Sequence, residues 1–92
     1  MLKDRMITFG ELDTVIYDFE FKGDTLPEHR HERRATHITI CAKGEVEVVT
    51  PEWTKTIKEG NIIEFYPQQL HSIVALTDDC RVVNIPTSYV RS

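Results

Sequence analysis

The stretch EHRHERRATHITICAKG, residues 28–44, carries three of the chain's four histidines and the strand that orders them. His29 and His31 form a His-x-His pair, and residues two apart on a strand leave the same face, so on extended backbone both rings point one way. HITICA (37–42) alternates in the strand period and sets a third imidazole, His37, on the next strand. The fourth, His71, follows Pro67 in YPQQLHSIVAL (66–76), and no histidine stands elsewhere. Neutral imidazole binds divalent transition metals, so the pattern marks a candidate metal site of His29, His31, His37 and His71. Each ring has a plainer reading. The His-x-His pair lies in the charged run EHRHERR and reads equally as a solvated loop. His37 reads as a core histidine, and His71 as a turn residue.

Outward from this stretch nearly everything reads as β. TVIYDFEFK (14–22) alternates, with Val15, Tyr17, Phe19 and Phe21 on one face and Asp18, Glu20 and Lys22 on the other. EVEVVT, WTKTIK, NIIEFY, HSIVAL and CRVVNI follow at short intervals. Lys43-Gly44, Pro51-Glu52, Glu59-Gly60-Asn61 and Asp78-Asp79 supply the turns between them. No window shows a capped helical period. Many short, evenly spaced strands predict an all-β sandwich or barrel, and 92 residues allow one core, hence a single domain over 1–92.

Composition narrows the function classes. A net charge of -4, with Arg30, Arg33 and Arg34 interleaved with Glu28 and Glu32, argues against nucleic acid or an anionic membrane as partner. No long apolar stretch suggests a signal peptide or transmembrane helix, and Cys41 and Cys80 form no CxxC motif. The expectation is a cytoplasmic protein with reduced thiols that serve as strand residues rather than ligands. Ser72 beside His71 comes without a nucleophile elbow, and Trp53 and Tyr66 read as core or rim aromatics.

The spacing of these residues resembles the cupins, small jelly-roll β-barrels whose two motifs carry metal ligands. The first motif runs glycine, five residues, His-x-His, three or four residues, Glu, six residues, glycine. Gly23, His29, His31, His37 and Gly44 fall into this pattern, with His37 in the glutamate position one residue late. The second motif runs from Gly60 to His71 at the family's interval, with Pro67 shifted by one and Ala75 where its asparagine would fall. Residues 23–71 are covered, with 15 residues between Gly44 and Gly60. The resemblance implies a single-domain cupin-type jelly roll holding a divalent transition metal (iron, manganese, nickel, zinc or copper). An all-histidine site leaves such an ion its full charge, where a glutamate ligand would cancel part of it.

Strand phase adds an expectation about assembly. With His37 inward, Thr39 and Cys41 are inward and Ile38 and Ile40 outward. Jelly-roll pairing sets this strand against CRVVNI; a register with Cys41 opposite Cys80 would put Asn84 opposite His37 and turn Val83 and Ile85 outward. The thiols would then be neighbours that stay reduced, because direct cross-strand disulfides tend to be strained. The resulting outer patch of Ile38, Ile40, Val83 and Ile85 predicts a homodimer, unless Met6–Phe9 covers it within one chain. The expected function is a metal-binding protein, either an oxygenase taking a small oxygen-bearing ligand or a non-catalytic binding module. Phe19, Thr39, Ile73 and Asn84 would line its interior. Glu32 has the wrong phase to serve as an acid or base there.

Overall fold

Alternation of apolar and polar residues sorts each strand into one buried and one outer face, and two sheets close over the buried faces. The structure, a computed structural model, describes residues 1–9, 12–29, 37–65 and 69–86; at 8–9, 12–13, 28–29 and 86 it describes backbone alone. Among the described residues the strands are β1 (Leu2–Phe9), β2 (Leu12–Phe19), β3 (Thr25–His29), β4 (His37–Lys43), β5 (Glu45–Val49), β6 (Thr54–Lys58), β7 (Ile62–Phe65), β8 (His71–Ala75) and β9 (Cys80–Pro86). One sheet runs β1-β2-β9-β4-β7 and the other β3-β8-β5-β6, every pairing antiparallel. This is the all-β architecture that the strand spacing predicts, in the jelly-roll form that the cupin resemblance implies.

Between the sheets lie Phe19, Val46, Val48, Ile57, Phe65, Ile73 and Val82, all buried. The chain passes from one sheet to the other between β4 and β5, at Gly44, whose φ of 75° lies in the left-handed region. Two hydrogen bonds hold this corner: the Glu59 amide (3.1 Å) and the Cys41 thiol (3.3 Å) both donate to the Gly44 carbonyl.

The pairing of β4 with β9 is as expected, but its register differs by two residues. Cys41 lies opposite Val82, Thr39 opposite Asn84 and His37 opposite Pro86. Cys80 is instead registered with Phe19 of β2. A slip of two keeps every side chain on its own face, so alternation could not distinguish the registers. The irregularity between Cys41 and Lys43 takes up the extra residue Ala42. Both thiols are buried and free. Cys80 Sγ lies 3.2 Å from the Glu45 carbonyl and 3.1 Å from that of Thr77.

Two further differences concern the N-terminal half. β2 ends at Phe19, so Phe21 does not continue its buried face and is 57% exposed. The chain turns there, with the Phe21 amide donating to the Asp24 carboxylate and the Asp24 amide to the Phe21 carbonyl. Residues 2–9 form a complete strand paired along β2 and lie beside the sheet rather than across its outer face.

Candidate metal centre

His71 opens β8 and is 1% exposed, more enclosed than His37. Its position follows from the local sequence: Ile73 and Ala75 share its phase and are buried, while Ser72 and Val74 lie on the other face. The ring's Nδ1–H donates to the carbonyl of Gln69 at 2.8 Å. A carbonyl only accepts, so this bond puts the ring's lone pair on Nε2 in the neutral form. Phe65 stacks on the ring, centroids 4.0 Å apart and planes 13° from parallel. Trp53, the one tryptophan in the chain, stacks in turn on Phe65 at 6.2 Å and 9°. Face stacking fixes the plane of the imidazole and leaves its nitrogens at the edge, where a ligand approaches.

His37 comes from the opposite sheet. It begins β4, is 7% exposed, and is registered opposite Phe65 on β7. Phe65 is therefore the meeting point of the two histidines, partnering His37 through the backbone ladder and His71 through its ring. The backbone of His29 ends β3 directly opposite His71. His29's side chain and the whole of His31 lie outside the described residues. Among the described residues no group of three or more His, Cys, Asp or Glu side chains is gathered to hold a metal ion. Of the four predicted ligands, His29 and His71 are paired in backbone register, His37 is registered with the Phe65 that stacks on His71, and the side chains of His37 and His71 are buried; all are imidazoles, a donor type that fits the metals expected.

The remaining interior polar groups are neutral. Thr39, one inward position along from His37, donates its hydroxyl to Asn84 Oδ1 at 2.5 Å, and both residues are buried. Thr14 and Thr50 complete the buried polar set with the two histidines, and no carboxylate is among them in the described residues. The predicted lining residues Phe19, Thr39, Ile73 and Asn84 are all buried. Burial pushes the Cys41 thiol above its usual pKa, with Cys80, Glu59 and Glu45 adding to the effect. Metals take the thiolate, so this supports reading Cys41 as packing.

Sequence reasoning missed Gln69 and Phe65. Phe65 was available from its alternation with Ile63 in NIIEFY. The role of Gln69 is played by a backbone carbonyl, for which side-chain identity gives no signal.

Two facing antiparallel sheets make a jelly roll, with His37 on one and His71 on the other, and solved structures of the same fold exist. A cupin superfamily protein from Desulfitobacterium hafniense superposes with a TM-score of 0.80 at 9% identity, covering 94% of this chain and 76% of its own. KdgF from Halomonas sp. gives 0.79 at 22% identity, with 95% and 80% covered. An RmlC-like cupin from Desulfovibrio desulfuricans gives 0.80 at 22%, with 92% and 81% covered. The fold of this chain is that of the cupin superfamily. No family model and no curated protein matches the sequence. No helix among the described residues is long and apolar enough to cross a membrane.

Proposed function

We propose that the protein is a metal-dependent cupin in which His29, His31, His37 and His71 hold one divalent transition metal, and that it acts as an oxygenase on a small oxygen-bearing substrate. One observation carries the reading. His71 is almost wholly buried and gives its Nδ1 proton to a backbone carbonyl, the outer contact by which metal-binding histidines are oriented and made more basic. A divalent ion held by neutral imidazoles supplies Lewis acidity and open positions for oxygen ligands. The chain's own part is to position and to exclude water. Phe65 locks the His71 ring against rotation. The Thr39 hydroxyl donates to Asn84 Oδ1 and so fixes the orientation of that buried amide in the interior.

A second reading has its own support. The described interior holds no carboxylate to serve as general acid or base, which suits a non-catalytic module whose metal chiefly braces the barrel. Metal analysis of the purified protein separates the two. Iron or manganese with open positions is the enzyme's signature, and closed four-coordinate zinc the module's.

Trp53 provides a direct test of the site. It stacks on the ring that stacks on His71, so an open-d-shell ion bound there lies close enough to quench the indole by energy transfer. Copper(II), nickel(II) or cobalt(II) is expected to remove most of the emission at one equivalent, and zinc(II) to leave it bright. Emission indifferent to all four ions would end the metal reading at His71.

The ligand set also predicts a pH response. Protons compete for the imidazoles as pH falls past about 6.5, and four such ligands make the loss steep. His37→Glu is expected to retain metal to lower pH than the parent. His37→Ala should weaken retention throughout while leaving the barrel folded. Metal content after dialysis between about pH 7.5 and about pH 5 is the measurement. Identical retention in all three proteins would remove His37 from the ligand set.

A further inference from the structure

We propose that Trp53 and Phe65 form an electron relay to the metal site, through which the Trp53 indole reduces an over-oxidised ion and spares the histidines that hold it. The relay rests on the reading of that site as an oxygenase's. Its path is a stack of three rings. His71 lies on Phe65 at 4.0 Å and 13°, and Phe65 on Trp53 at 6.2 Å and 9°, so the three π-systems are nearly parallel. Phe65 also stands opposite His37 in the β4–β7 register, so this one residue neighbours both buried histidines.

Parallel stacking at these separations is in itself ordinary aromatic packing. The order of the members singles this stack out. A ligand ring stands at one end, and the chain's one indole, a readily oxidised group, stands at the other. Phenylalanine between them is too hard to oxidise to hold the charge, so it serves as a bridge. Trp53 packs against the core yet is only partly buried, within reach of a small reductant. Its backbone is pinned. The Trp53 amide donates to Thr50 Oγ1 at 3.0 Å, and its carbonyl accepts from the Thr50 amide at 2.8 Å. The transfer distance is thereby held constant.

Other oxidisable groups are less well placed. Cys41 lies four residues along β4 from His37, about 13 Å at about 3.3 Å per residue. Burial holds its thiol protonated, and losing an electron would require it to lose that proton too. Met6 is 64% exposed on β1, at the opposite edge of the five-stranded sheet from β7. With iron as the ion, iron(II) gives two electrons to hydrogen peroxide, which takes up two protons and leaves as two waters. Trp53 returns one electron to the iron and loses its Nε1 proton to solvent. A thiol or ascorbate restores the indole with one electron and one proton, and a second round returns the ion to iron(II).

Peptide mass spectrometry of the metal-loaded chain, after peroxide treatment without reductant, is the test. In the iron(II) protein Trp53 is expected to gain oxygen before Met6 does; in the zinc(II) protein Met6 alone should, by direct attack on its sulfur. Trp53→Phe keeps a ring to stack but none to oxidise. Damage should then pass to His71 and His37, and half the iron should be lost after severalfold fewer additions of peroxide. Trp53→Tyr, an oxidisable ring, should restore most of the parent's endurance, a rescue that packing alone would not produce. Trp53 untouched in the iron protein, or equal endurance of Trp53→Phe and Trp53→Tyr, overturns the relay and leaves the metal site standing. A chain that takes up no iron overturns the relay and the oxygenase reading together. Should Trp53→Phe fail to fold, the order of Trp53 and Met6 oxidation in the parent decides alone.

Discussion

Gly44→Ala is expected to lower the unfolding free energy by about 2–4 kcal/mol, enough to bring the melting temperature of a chain this size down by roughly 10–20 °C. Two effects add. The residue sits at φ 75°, where any Cβ crowds its own carbonyl. A Cβ built there would also lie 2.7 Å from Cys80 Sγ and 2.8 Å from Thr77 Oγ1. Neither atom can easily withdraw, because the Cys80 thiol is buried and hydrogen-bonded to the Thr77 carbonyl, and the Thr77 hydroxyl accepts from the Glu45 amide at 3.2 Å. Gly60→Ala is the control. It has a similar φ, 90°, but nothing within 4 Å of its Cβ, so only the backbone cost of about 1–2 kcal/mol applies. Thermal melts of the two variants check the difference, and equal losses would mean that the corner yields to the methyl group.

The same corner shows what the sequence could and could not reveal. Gly23, Gly44 and Gly60, the three glycines of the cupin-like spacing, all have positive φ in the structure. Their regular placement was legible because glycine is the residue that tolerates that conformation. Strand phase was legible for the same kind of reason, since burial on one face forces apolar alternation. It put Thr39, Cys41, Val82 and Asn84 inside correctly.

Register was not legible. Cys41 opposite Cys80 and Cys41 opposite Val82 present the same residues to the core, so no side-chain pattern separates the two registers. β1 was missed because LKDRMITF alternates poorly and lies on a sheet edge, where Met6 remains exposed. At the candidate site, the histidine identities and their strands were readable. The stacking of Phe65 on His71 depends on how two sheets approach each other, which is a tertiary fact.

His71→Phe is expected to reduce metal affinity by more than about 100-fold, beyond the 10–100-fold typical of changes to outer contacts. The substitution is chosen to separate binding from folding. Phenylalanine keeps a flat ring of similar size to stack on Phe65 and removes both nitrogens, so the lost stability should be limited. It comes mainly from the partly buried Gln69 carbonyl, which loses its 2.8 Å bond to the ring, about 0.5–1.5 kcal/mol. His71→Ala removes the same ligand and the stack together, leaving a cavity beside Phe65 and costing about 2–4 kcal/mol. The metal-free proteins should therefore melt in the order parent, His71→Phe, His71→Ala, while both variants lose metal to a similar degree. Calorimetric metal titration beside thermal melts of the metal-free forms reads the two effects independently. If His71→Phe binds metal as the parent does, His71 is a packing histidine held by Gln69 and Phe65, and the ligand set must be drawn without it.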